Sequence, residues 1–137
     1  MRRLLGVALL IAAPAAGQGV LPVDCADPDG IAEATDCAAR QLQVSEDQLD
    51  LALGLALTRA EVLDQDWAAE GGAPGEVSVH DALDASQTDW IAYRDAACAA
   101  ESLQFFERAE IDLALALCLA RLTVRRGDDL AAFAEGP

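Results

Sequence analysis

Apolar residues recur at three- and four-residue intervals along most of this chain, the spacing of one buried helix face. Leu49, Leu53, Ala56, Ala60 and Leu63 form the clearest stripe, while Glu46, Asp47, Asp50, Arg59 and Asp64 fall mainly outside it. Ser45 followed three residues later by Gln48 has the form of a capping box, which predicts a helix from Ser45 to about Trp67 or Ala69. Ahead of it, Asp, Pro and Gly gather in the segment 24–30 as turn chemistry, followed by a predicted short helix over about 31–42. Gly54 weakens the long helix by about 1 kcal/mol relative to Ala and reads as a point of close helix approach. Gly71, Gly72, Pro74 and Gly75 then stop it, placing a loop at about 70–80.

A third helix is predicted from about Asp81 or Asp84 to beyond Cys98, with Gln87, Trp90, Ile91, Arg94 and Cys98 on one face. A fourth is predicted over about 107–126, with Ile111, Leu115, Cys118 and Leu122 on one stripe. Gly127 would cap it, and Arg125 and Arg126 would suit its negative end. The alternation of Leu113, Leu115, Leu117 and Leu119 resembles a strand, but the residues between are Ala and Cys, and Ala with Leu favours helix. The predicted fold class is all-α, a small disulfide-stabilised bundle of about four helices.

The beginning of the chain reads as an address. Met1-Arg2-Arg3 is followed by an apolar run from Leu4 to Ala16, too short to cross about 30 Å of hydrocarbon. Small residues Ala15 and Gly17 suit cleavage after Gly17, so 1–17 is expected to be a signal peptide and 18–137 a single helical domain. Asp24 immediately before Cys25 argues against a lipid anchor. The expected location is periplasmic or secreted, with no membrane span in the mature form.

All four cysteines, Cys25, Cys37, Cys98 and Cys118, lie beyond that segment. An even number in an exported chain reads as a disulfide framework, with three possible connectivities. The turn at 24–30 lets Cys25 fold back towards Cys37. No Gly or Pro separates Cys98 from Cys118, and an unbroken helix would hold them about 30 Å apart. Either the chain reverses near Gln104-Phe105-Phe106, or these two cysteines each bridge to the N-terminal segment.

Charge narrows the partners. The 137 residues carry 24 acidic and 9 basic side chains, a formal net charge of −15. Every basic residue is Arg and none are clustered enough to follow a phosphate backbone, which excludes nucleic-acid binding. Removing Arg2 and Arg3 leaves 7 basic against 24 acidic residues, a net charge of −17. With 53% hydrophobic but only 4% aromatic residues, the core must be built from Leu, Ala, Val and Ile.

Catalytic material is scarce. His80 is the only histidine and has no Cys-x-x-Cys or His-x-x-x-His partner, so it reads as an exposed linker residue. There is no Gly-x-Ser-x-Gly, phosphate loop or dinucleotide fingerprint. Asp27, Asp29, Gly30, Glu33 and Asp36 match part of a calcium-loop spacing, but Cys25 occupies its first position and Asp its last, so a plain Asp-rich turn is expected. No cofactor, metal or catalytic residue is assigned, and the protein is expected to act by binding.

The most specific segment is Ser86-Gln87-Thr88-Asp89-Trp90-Ile91-Ala92-Tyr93-Arg94-Asp95-Ala96-Ala97-Cys98, followed by Cys118, Leu122-Thr123, Arg126 and Leu130. It resembles the pattern of the LprI-type lysozyme-inhibitor family: Gln, then Trp and an apolar residue, then aromatic-Arg-Asp and Cys, a later Cys, and a Leu-Thr-x-x-Arg-x-x-x-Leu ending. Cys25 and Cys37 resemble that family's first two cysteines. The family's Gly-rich stretch between its last two cysteines is replaced here by 101–110, which has no Gly. The resemblance implies a protein that occludes a cell-wall hydrolase, such as a basic lysozyme. The alternative is a periplasmic helical interaction or envelope-stress protein with another partner. Gln87, Trp90, Tyr93, Arg94, Asp95, Thr123 and Arg126 are the family-motif residues. Trp90 and Arg94 suit either interface anchors or an internal pair, with Trp90 packed and Arg94 held by a carboxylate.

Overall fold

A computed structural model describes residues 25–72, 75 and 77–136. The signal-peptide reading of 1–17 lies outside the described residues. Three helices are present: α1 (Ile31–Ala69), α2 (Val79–Ser102) and α3 (Arg108–Glu135). Among the described residues there is no strand. Glu46 meets Arg94 and Asp64 meets Val79, so α1 and α2 are antiparallel. Arg94 meets Thr123 and Gln87 meets Arg126, so α3 turns back again and runs parallel to α1. Among the described residues no helix is long and apolar enough to cross a membrane.

The bundle has three helices rather than about four because the predicted break before Ser45 does not occur. No Gly or Pro interrupts 31–69 except the tolerated Gly54, and Ser45 does not cap. Its hydroxyl turns back into its own helix and donates to the Gln41 carbonyl at 2.7 Å, leaving Ser45 buried mid-helix. At 39 residues, α1 is about 58 Å long at 1.5 Å per residue. It ends at Ala69, and Gly71 and Gly72 follow with φ values of 100° and 105°, which no L side chain adopts easily.

Helix α2 starts at Val79, slightly ahead of the predicted Asp81 or Asp84. Ser78 caps it, its hydroxyl accepting from the Asp81 N–H at 3.0 Å. His80 therefore stands in the first turn of a helix rather than in the linker. Two further N–H groups, those of Val79 and His80, are satisfied from α1 by the carboxylate of Asp64.

Helix α3 continues through Gly127, which was expected to end it. Leu130 is fully buried beyond that point and Phe133 packs against the core, so packing outweighs the glycine penalty of about 1 kcal/mol. Arg125 and Arg126 consequently lie mid-helix, and Gly136 terminates α3 with φ 80°. Gly127 is also where α1 and α3 approach: a Cβ there would lie 3.9 Å from the Leu49 Cα. Gly54 faces open space instead, so the close approach predicted at Gly54 occurs at Gly127.

The core cluster is Leu49, Ala52, Ala56 and Leu130, against which Leu53, Leu83, Trp90 and Phe133 pack. Small residues let α1 and α3 make the most extensive contact in the molecule. Helix α3 therefore has two inward faces. Cys118 and Thr123 meet α2, through the Cys98 bridge and the Arg94 guanidinium, whereas Gly127 and Leu130 lie against α1.

Candidate functional site

All the family-motif residues except Tyr93 gather along the seam where α2 packs against α3. Spacing of three and four residues puts Gln87, Trp90, Arg94 and Cys98 on one side of α2. Cys98 bonds Cys118 of α3, and Cys25 bonds Cys37, with no free cysteine among the described residues. The chain reversal that the first of these bridges requires falls at 103–107, around Gln104-Phe105-Phe106.

Arg94 is the hub. Its side chain is only 13% exposed, and its Nε and Nη2 each reach Asp95 Oδ1 at 2.9 Å. Nη1 donates to Thr123 Oγ1 at 3.2 Å and stands 3.5 Å from Glu46 Oε1. Thr123 is fully buried, so this contact satisfies a hydroxyl that would otherwise cost free energy to bury. One guanidinium thereby touches all three helices.

Arg126 makes the second link. Its Nε donates to Gln87 Oε1 and its Nη2 to Ser86 Oγ, both at 2.9 Å. Trp90 lies by both cations, with the Arg94 guanidinium 5.3 Å and that of Arg126 6.0 Å from its ring centroid. Both distances allow cation–π attraction, and the ring also packs on the core.

Tyr93 is not part of this network; it is 63% exposed on the outer side of α2. Ile91 is also exposed, at the rim of a shallow pocket of about 270 Å³ whose wall includes Glu46, Asp47, Asp50, Trp90 and Arg94. Glu46, Ser86 and Asp64 are partners that sequence reasoning missed. Nothing in a helical polar residue's own neighbourhood marks which distant Arg or helix terminus it will meet.

A family model described as lysozyme inhibitor LprI matches residues 25–130. The chain belongs to the LprI lysozyme-inhibitor family. Neither a curated protein nor a solved structure matches it. The LprI match spans both disulfides and the whole Arg94–Trp90–Arg126 seam.

Chemically the LprI seam is a set of closed pairs. Every polar group named in it already has a partner, and no nucleophile is paired with a base. At the other acidic locus, Glu33 Oε2 accepts the Asp29 N–H at 2.8 Å and Cys25 is bridged. Among the described residues no three His, Cys, Asp or Glu side chains gather as a metal site. The two disulfides fit an oxidising, extracytoplasmic location.

Proposed function

We propose that this protein is an exported, lysozyme-inhibitor-like binding protein that occludes the cleft of a cell-wall hydrolase. Membership of the LprI family over residues 25–130 carries the reading. Charge supports it: a chain of net charge −15, or −17 without Arg2 and Arg3, is steered towards a basic hydrolase. Attraction alone is screened beyond about 8 Å at physiological salt, so a real inhibitor needs shape and apolar contact as well. In this reading residues 1–17 direct export and the remainder is a single binding domain without catalytic function. Trp90, Arg94, Thr123 and Arg126 act as an internal brace that holds the binding surface in place, rather than as contacts themselves.

The test is a lysozyme cell-lysis assay with the oxidised protein at low and physiological salt, beside an unrelated protein of similar charge. Saturable inhibition that survives salt and disappears on disulfide reduction is the expected result. Inhibition equalled by the acidic control refutes it. Leu51 and Leu55, 72% and 65% exposed on α1, favour a second reading, a helical interaction protein with a partner other than lysozyme.

A further inference from the structure

Where α2 turns into α3, the chain presents a compact apolar tip to solvent. Phe106 is 96% exposed, Leu103 69% and Phe105 45%, all in one short turn. Nothing in the bundle needs Phe106 there, since a side chain so exposed contributes little to the core. The tip is nevertheless ordered. The Leu103 and Phe105 N–H groups donate to the Ala99 and Ser102 carbonyls at 3.2 Å, and the Ile111 N–H donates to the Glu107 carbonyl at 3.0 Å. Behind it, the Cys98–Cys118 bridge ties both helices together. A rigid apolar projection loses little conformational freedom when a partner closes over it.

Carboxylates stand around this tip. Glu107 stands at the N-cap of α3 and Glu110 in its first turn. The Asp27 and Asp29 turn is at the same end of the bundle, because Cys25, Pro28 and Cys37 share a groove with Leu113 and Leu117 of α3. The cations there are engaged: Arg108 with Asp112, Arg121 with Glu101, and Arg40 against the Cys25 and Cys37 sulfurs.

We propose that the 103–107 turn is the anchor of the inhibitory surface, with Phe106 entering the cleft of a basic cell-wall hydrolase and the surrounding carboxylates meeting its cationic rim. This deepens the inhibitor reading and rests on it. A membrane surface would also accept the apolar groups, but anionic lipid repels the carboxylates, so a basic protein is the better match.

The experiment measures inhibition of, and affinity for, a basic animal lysozyme at physiological salt, using oxidised wild type, Phe106→Ala, Phe106→Leu and the remote control Leu51→Ala. Phe106→Ala is expected to lose about ten-fold or more in affinity with unchanged melting, Phe106→Leu to recover part of it, and Leu51→Ala to match wild type. Full inhibition by Phe106→Ala overturns the anchor while leaving the inhibitor reading intact. Failure of wild type itself to inhibit overturns both. Phe106-dependent binding to vesicles of neutral or anionic phospholipid, without lysozyme binding, overturns the proposal in favour of a membrane tip.

Discussion

The Asp64 carboxylate, near the C-terminal end of α1, caps the start of helix α2, accepting the Val79 N–H at 2.6 Å and the His80 N–H at 3.0 Å. Together with the Ser78 hydroxyl on Asp81, it satisfies the first three N–H groups of a helix that lack an intrahelical acceptor. A negative charge there also suits the positive end of the helix dipole. The two Asp64 contacts pin the start of α2 to α1.

Asp64→Ala should therefore destabilise the fold by about 1–2 kcal/mol, the range for loss of a good N-cap. Asp64→Asn keeps one carbonyl acceptor and should lose roughly half of that. Thermal melting of both variants checks this, and an Asp64→Ala protein that melts like wild type would show that water replaces the carboxylate without loss.

Arg94→Ala removes a guanidinium that contacts Asp95, Thr123, Glu46 and Trp90. It leaves the buried Thr123 hydroxyl short of a partner, and a loss of about 2–3 kcal/mol is expected. Arg94→Lys should rescue it only partly, because an ammonium cannot present the planar fork that serves Asp95 and Thr123 together. Unchanged melting with lost hydrolase binding would instead make Arg94 an interface residue.

Much of this architecture was legible in the chain, for identifiable reasons. Helical periodicity is a local signal, so the stripe from Leu49 to Leu63 and the face carrying Gln87, Trp90 and Arg94 were readable directly. The number of helices was not. Ser45 and Gln48 satisfy a capping pattern by composition, but a hydroxyl has two outlets, and here the Gln41 carbonyl takes it. Gly127 misled for the same kind of reason. A glycine late in a helical pattern either ends the helix or lets a neighbour approach, and only the position of Leu49 decides between them. The partners of Arg94 and Arg126 on other helices depend on packing offsets that no single helix encodes.

Gly127 lies where α3 approaches the Leu49 backbone of α1. A Cβ at this position meets the Leu49 Cα at 3.9 Å, an ordinary van der Waals contact, and the backbone is helical. Gly127→Ala should fit and stabilise by about 0.5–1 kcal/mol through helix propensity, raising Tm by a few degrees. Gly127→Leu has no such room and should separate α1 from α3, lowering Tm. Equal behaviour of the two variants would mean that the α1–α3 crossing is looser than these distances imply.

The two disulfides should differ in consequence although both close short loops. Cys98 and Cys118 are almost fully buried and join two packed helices across a separation of 20 residues. Replacing both with Ser should cost about 3 kcal/mol in the chain-entropy model and loosen the 103–107 turn. Cys25–Cys37 closes a loop of comparable size, with a separation of 12, but holds only the N-terminal turn against the first turns of α1. Its loss should release that turn with a smaller fall in the global melting temperature, because residues beyond Ala38 keep all their packing against α3. Hydrogen exchange separates the two cases: protection should fall throughout α2 and α3 in the Cys98/Cys118 double variant, and only near the start of α1 in the Cys25/Cys37 one. Matching global losses in both would mean that the N-terminal turn is cooperative with the bundle rather than an appendage to it.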